Sequence, residues 1–190
     1  EYSMPPRQVF LLDEEGPGHD AFAVLPSWSE QLIAVKAFTY FPGAEPPYKS
    51  LYSKVMLFDR AHGEPLALVD GTTVTFWRTA GISGLATRLL SREDSQTMLL
   101  LGTGNLAPYI IRANASVRGL KKIMIWGRTR SKAEEIAGTM KEELPGIDFI
   151  AVDDRQAACA EADIVVAATG SHEPVVLGEL IKPGTHTDFI

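Results

Sequence analysis

The stretch LLLGTGNLAPYI, residues 99–110, decides how the second half of the chain folds. Two glycines one residue apart mean little alone, because sixteen glycines in 190 residues place such a pair somewhere by chance. The flanks carry the reading. An apolar run, Met98-Leu99-Leu100-Leu101, precedes Gly102, and a helix-like run, LAPYIIRANASVRG, follows. A glycine turn that follows a strand and opens a helix, inside a strand-helix-strand unit, is the setting of a dinucleotide cradle. There Gly102 permits the tight turn, Gly104 lets the backbone approach a pyrophosphate, and Ala107 is small enough for the helix to pack on the strand. Thr103, Asn105 and Leu106 complete the cradle at the helix N-terminus, whose free N–H groups favour an anion. Pro108 falls in the first helical turn, where its missing N–H costs little.

Downstream, strand-like and helix-like segments alternate. TMLLLG, KIMIWG, DFIAV, DIVVAAT and THTDFI read as strands, and SKAEEIAGTMKEELPG and RQAACAEA as helices. Continuous apolar strands suit a parallel sheet buried on both faces. The expected fold class is therefore α/β, a Rossmann-like doubly wound parallel sheet over residues 92–190. The chain stops at Ile190 within a strand-like run, which predicts truncation of a longer protein at the C-terminus.

Upstream of a seam near Ser91-Arg92-Glu93-Asp94 the texture differs. RQVFLL, FAVL and LIAVKAFTY are short strand-like runs, and KVMLFD with PLALVD around Arg60-Ala61-His62-Gly63 reads as a β-hairpin. Asp70-Gly71 supplies the next tight turn. A helix is expected from a cap near Thr72 to Thr75 as far as Leu90, burying Ile82, Leu85, Ala86 and Leu89 at 3-4 spacing. Residues 1–91 thus form a smaller, mostly antiparallel α+β domain ahead of the Rossmann-like one.

The end of the strand after the glycine turn selects the cofactor. Folds specific for NAD normally place Asp or Glu there to bind the ribose 2′-hydroxyl. No carboxylate occurs from Ser95 through Ala133, and the strand ends Trp126-Gly127-Arg128-Thr129-Arg130-Ser131-Lys132. Arg128 can stack on adenine or fork onto a 2′-phosphate, Thr129 can donate a hydroxyl, and Arg130 or Lys132 adds charge. NADP(H) is the expected cofactor, with NAD(H) as the alternative. A basic first turn also opposes the dipole of the helix it opens, so it calls for a partner.

Bulk properties exclude other classes. With 45% apolar and 22% charged residues the composition is that of a globular domain, and a net charge of −6 argues against a nucleic-acid partner. No apolar run reaches the roughly 18 residues that span a membrane. The single cysteine, Cys159, cannot form an internal disulfide, reads as a buried small residue, and points to a reducing cytoplasm. His172 and His186 have no Cys or carboxylate at ligand spacing, so no metal site is expected.

Further stretches carry a family resemblance from Pro6 to Ile190. They are PPRQVF, AVLPSW followed by VKAFTYFPG, KVMLFDRAHGEPLALVDGTTVTFWRTAG, GTGNLA, WGRTRSKAEEIA, EADIVVAATGSHEP and KPGTHTDFI. In these the sequence resembles the ornithine cyclodeaminase and mu-crystallin family. The resemblance implies a homodimer whose first domain binds a small amino or imino acid and builds the subunit contact, while the second binds nicotinamide cofactor. It places Arg7 and Arg78 on the substrate carboxylate and Lys36 beside the reacting carbon and nitrogen, with Lys36 and Arg78 as the catalytic pair. It places Ser50, Arg78, Thr79, Gly104, Asn105, Leu106, Gly127, Arg128, Thr129, Lys132, Thr169, Gly170 and Ile190 on the cofactor. These residue types suit the chemistry, since an arginine fork fixes a carboxylate and an ammonium can protonate a C=N nitrogen.

There are departures from the family pattern. Leu106 stands where the family usually has Gln, and Ala23 stands where cyclodeaminases carry a glutamate. The cofactor strand also lacks their terminal acid. The chain therefore resembles the NADPH-using ketimine and pyrroline-2-carboxylate reductases of the family. That implies an enzyme reducing the C=N bond of a cyclic imino acid. The alternatives are an ornithine cyclodeaminase (a lyase converting L-ornithine to L-proline and ammonia), an alanine-dehydrogenase-like enzyme, and a non-catalytic NADPH-dependent binding protein of the mu-crystallin type.

Overall fold

The strand-and-turn texture of the first part of the chain folds as a meander. Strands β1 (Gln8–Leu11), β2 (Ala21–Trp28), β3 (Leu32–Tyr40), β4 (Leu51–Asp59) and β5 (Pro65–Asp70) pair with their sequence neighbours in an antiparallel sheet of order β1-β2-β3-β4-β5. The β4-β5 hairpin turns where Asp59 Oδ1 accepts the His62 N–H at 2.7 Å and Gly63 takes a positive φ of 73°. In this computed structural model, residues 1–13, 19–45, 47–171 and 173–190 are described. They form two units, Glu1–Thr75 and Phe76–Ile190.

Helix α1 (Gly71–Leu90) runs from the first unit into the second, which continues as β6 (Thr97–Leu101), α2 (Ala107–Ala115), β7 (Lys122–Trp126), α3 (Arg130–Glu143), β8 (Asp148–Ala151), α4 (Arg155–Glu161), β9 (Ile164–Ala167) and β10 (His186–Phe189). The five strands form a parallel sheet of order β10-β9-β6-β7-β8. The chain therefore steps outward from β6 through β7 to β8, then returns to the other side of β6. That reversal creates the switch point beside which α/β sheets bind ligands, at the carboxyl ends of β6 and β9.

Period-2 alternation in these apolar strands builds two cores at once. Met98, Leu100, Ile123, Ile125, Ile164 and Val166 face Ile110 and Ile111 of α2 and Ala133, Ala137 and Met140 of α3. Leu99, Leu101, Met124, Val165 and Ala167 face Ala158 and Cys159 of α4. Each large side chain so enclosed contributes roughly 1.5–3 kcal/mol. Burial also pushes the Cys159 thiol pKa up, consistent with an inert, packed residue.

Helix α1 departs from expectation at both its start and its buried face. It begins at Gly71 rather than near Thr72 to Thr75, because Asp70 Oδ1 accepts the Thr73 N–H at 2.8 Å and caps the first turn. Ile82, Leu85 and Leu89 are 62%, 52% and 66% exposed, whereas Ala80, Ser83 and Thr87 are buried. The small face is the buried one because α1 meets α2 at short range. A Cβ added at Gly84 would stand 3.0 Å from the Ala113 carbonyl oxygen, a separation that leaves no room for leucines. The contact is also hydrogen-bonded. Thr87 Oγ1 donates to Asn114 Oδ1 at 2.5 Å, and Asn114 Nδ2 donates to Ser83 Oγ at 3.2 Å and to the Ile110 carbonyl at 2.9 Å. Arg118 closes the C-terminus of α1, its Nη2 donating to the Arg88 and Ser91 carbonyls.

Asp163, immediately before β9, ties the second unit together. Its carboxylate accepts from Arg92 Nη2 at 2.9 Å, the Gln96 and Thr97 N–H groups at 3.0 Å each, and Lys182 Nζ at 2.8 Å. Burial works against its ionisation, but Lys182 and the two backbone donors outweigh that and hold the pKa at about 2. Asp163→Asn is expected to cost about 2 kcal/mol, since it leaves two cations and two N–H groups poorly matched. The folded pKa lies below the ordinary 3.8, so the stabilisation is complete above that value and fades as pH falls to about 2. Urea midpoints of the two proteins should therefore converge on acidification from pH 5. A gap that does not narrow would refute the assignment.

Candidate cofactor site

The opening glycine turn sits at the switch point. Gly102 takes φ +126°, and a Cβ there would collide with the Ala168 carbonyl oxygen, so the position requires glycine. Its N–H donates to the Trp126 carbonyl at 2.9 Å, and Ala168 N–H donates to the Leu101 carbonyl at 2.8 Å, placing the turn between the ends of β7 and β9. Gly104 differs, because a Cβ there would meet nothing within 4 Å. Protein packing does not call for its bare backbone, and the open space above it leaves room for a ligand. Helix α2 has no side-chain N-cap bond, and the N–H groups of Gly104, Asn105 and Leu106 find no acceptor among the described residues. Open backbone and unassigned donors fit the pyrophosphate of a dinucleotide.

A cavity of about 460 Å³ opens here, lined by residues 102–104, 126–129, Lys132, Arg155, 168–171 and Val175. Of the candidate residues it gathers Gly102, Thr103, Gly104, Gly127, Arg128, Thr129, Lys132, Thr169 and Gly170. Among the described residues its lining holds three cations, Arg128, Lys132 and Arg155, and no carboxylate. Arg130 is spent elsewhere, paired with Asp153 and, at 2.7 Å, with Glu134, and both carboxylates raise its pKa. That accounts for one base in the first turn of α3; Arg128 and Lys132 face the cavity. Thr169 Oγ1 accepts the Ser171 N–H at 3.3 Å and shapes the turn after β9.

Other candidates lie outside this lining. Asn105 is exposed at the turn, while Leu106 packs against the α2-side core and Ala107 is buried in it. Ile190 follows β10, its N–H donating to the Ala167 carbonyl at 3.0 Å. Arg78, exposed, and Thr79, half-buried, lie on α1 within the second unit. In the first unit, Arg7 precedes β1 and Ser50 precedes β4, both exposed. Lys36, central in β3, is half-buried; its Nζ donates to Thr75 Oγ1 at 2.5 Å and stands 5.9 Å from the Phe38 ring. Thr75 Oγ1 in turn donates to the Gly71 carbonyl at 2.8 Å, so the first turn of α1 aims the ammonium.

Trp126, Arg155, Ala168, Ser171 and Val175 are the cavity residues that sequence reasoning did not assign to the site, and Arg155 is the charged one among them. In the sequence, Arg155 only opens a helix after VDD; pairing of β8 beside β7 brings it to the same sheet end. Among the described residues no group of three or more His, Cys, Asp or Glu could hold a metal ion, and no helix is long and apolar enough to cross a membrane. His172 lies outside the described residues.

A family profile described as "Ornithine cyclodeaminase/mu-crystallin family" matches residues 1–190. The chain is 48% identical over 192 residues to a Delta(1)-pyrroline-2-carboxylate reductase of Colwellia psychrerythraea, covering 100% of this chain and 61% of that protein. It is 31% identical over 170 residues to the ketimine reductase mu-crystallin of Mus musculus, covering 88% of this chain and 53% of that protein. The structure of Thermococcus litoralis Delta(1)-pyrroline-2-carboxylate reductase in complex with NADH and L-proline matches with a TM-score of 0.90 at 30% identity, covering 100% of this chain and 58% of that one. The chain thus spans between about half and three-fifths of the length of these relatives.

Proposed function

The chain belongs to the ornithine cyclodeaminase/mu-crystallin family, and on that footing we propose that it serves an NADPH-dependent reductase of cyclic imino acids of the pyrroline-2-carboxylate type. The observation that carries this reading is the cavity at the switch point, with its three cations and no carboxylate. Gly104 and the N–H groups that follow it hold the pyrophosphate, and Arg128, Thr129 and Lys132 take the 2′-phosphate. The nicotinamide, when bound, supplies the hydride. Lys36 supplies the proton to the imine nitrogen, so that one hydride to carbon and one proton to nitrogen give the amine. Arg78 and Arg7 fix the substrate carboxylate. Residues 1–91 serve substrate binding and the subunit contact of a homodimer, and residues 92–190 serve the cofactor. The lone buried cysteine suits a reducing cytoplasm.

A reductase is favoured over a cyclodeaminase by Ala23. This residue, in the place of the cyclodeaminase glutamate, is fully buried in β2 and brings no acid to the site.

NADPH is expected to bind at least about tenfold more tightly than NADH, a difference of roughly 1.4 kcal/mol or more. Arg128→Asp should reverse the preference, because it places a carboxylate where a ribose 2′-hydroxyl would be bound. Nicotinamide fluorescence titrations with both cofactors test this, followed by a spectrophotometric screen of pyrroline-2-carboxylate and piperideine-2-carboxylate. Equal affinities would refute the 2′-phosphate assignment, and absence of turnover on every imino acid would favour a binding protein.

A further inference from the structure

We propose that Arg155, preset by its cation–π contact with Trp126, is a second arginine for the cofactor 2′-phosphate and hence a determinant of NADPH over NADH. This rests on the reading of the cavity as a nicotinamide-dinucleotide site. Trp126 ends β7, and its indole Nε1 donates to the Asp153 carbonyl at 3.2 Å, which fixes the ring. The Arg155 guanidinium lies 5.0 Å from the centre of that ring. A guanidinium lying over an aromatic face keeps its N–H donors at its edge, so the fork that fits a phosphate stays available. Its rotamer is also partly chosen beforehand, which reduces the ordering cost when an anion arrives.

The neighbouring carboxylates are committed to other partners. Asp153 pairs with Arg130. Asp154 Oδ1 accepts the Gln156 and Ala157 N–H groups at 2.9 and 3.0 Å and caps α4. The Arg155 side chain makes no ion pair or hydrogen bond to any other described residue, yet lines the cavity with Arg128 and Lys132. Three cations lining one cavity, with no carboxylate among the described lining residues, favour an anion there. A phosphomonoester dianion meets that charge and a ribose hydroxyl does not. The pyrophosphate has its own donors at the glycine turn, whereas Arg155 and Trp126 stand at the β7-β8 side. There the adenosine ribose meets the end of the second strand of a dinucleotide fold.

The test is calorimetric titration of the intact protein and of Arg155→Leu, Arg155→Lys and Trp126→Leu with NADPH, NADH and 2′,5′-ADP. Arg155→Leu should weaken NADPH and 2′,5′-ADP about tenfold and NADH less than about twofold, the pattern of a lost charged phosphate contact. Arg155→Lys, which keeps the charge and loses the fork, should fall between. Trp126→Leu, removing the aromatic face beneath Arg155 together with the Nε1 bond to the Asp153 carbonyl, should weaken NADPH about threefold and NADH less. Unchanged NADPH affinity in Arg155→Leu, with the parent protein preferring NADPH, overturns this proposal alone. Equal losses for NADPH and NADH overturn it too, since Arg155 would then be a general contact. A parent protein that binds neither cofactor defeats the dinucleotide reading and this proposal with it.

Discussion

Replacement of Lys36 by methionine is expected to slow hydride transfer to pyrroline-2-carboxylate about a thousandfold, while NADPH affinity stays within about twofold, the range expected when a general acid is removed. Methionine keeps the length of the side chain and removes its proton. The half-buried ammonium is held by Thr75 Oγ1 at 2.5 Å, and Thr75 retains its bond to the Gly71 carbonyl without Lys36. The first turn of α1 therefore survives the substitution. Cofactor affinity should be spared because the glycine turn and the cationic cavity belong to the second unit and Lys36 to the first. Single-turnover reduction under saturating NADPH separates the two effects. Wild-type rates in the variant would show that the proton comes from elsewhere, and a comparable loss of NADPH binding would assign Lys36 to the cofactor.

The second large effect concerns Arg78. If its guanidinium holds the substrate carboxylate, Arg78→Leu should lower kcat/KM about a hundredfold or more, because a desolvated charged fork that loses its partner costs several kcal/mol. Arg78 is exposed on α1, so folding stability should change little, and thermal unfolding provides the control. Some loss of cofactor affinity is compatible with the role if Arg78 also approaches the nicotinamide or its phosphate. The discriminating measurement is kcat/KM for the carboxylate-bearing imine against a cyclic imine lacking the carboxylate. Arg78→Leu should erase the preference of the parent protein for the acid. An unchanged preference would remove Arg78 from substrate binding.

What could be read from the sequence follows from how locally each feature is determined. The parallel sheet was legible because a strand buried on both faces must be apolar at every position, as Met98 to Leu101 are. The meander was legible because short strands and turn residues alternate, with Asp59 and Gly63 supplying a turn that needs one capped N–H and one positive φ. The glycine turn and the missing acid at the end of β7 were equally local. Each depends on a few consecutive residues and on the chemistry of a single turn.

Helix α1 and Arg155 were not local problems. Periodicity marked Ile82, Leu85 and Leu89 as an apolar stripe, but the buried stripe is decided by which surface α2 presents and how closely it comes. Ala113 and Asn114 accept only the small, polar side of α1. In the same way, Arg155 looks like the first residue of a short helix until β8 pairs beside β7. The strand pairing brings it over Trp126, and the engagements of Asp153 and Asp154 leave its charge for the cavity. The sequence by itself determined the strands, the turns, the order of the elements and the glycine turn at the end of β6, because short-range sterics and hydrophobic periodicity suffice for them. Only the tertiary structure decided which helix face is buried and which cations share a cavity. Both depend on groups distant along the chain competing for the same neighbours.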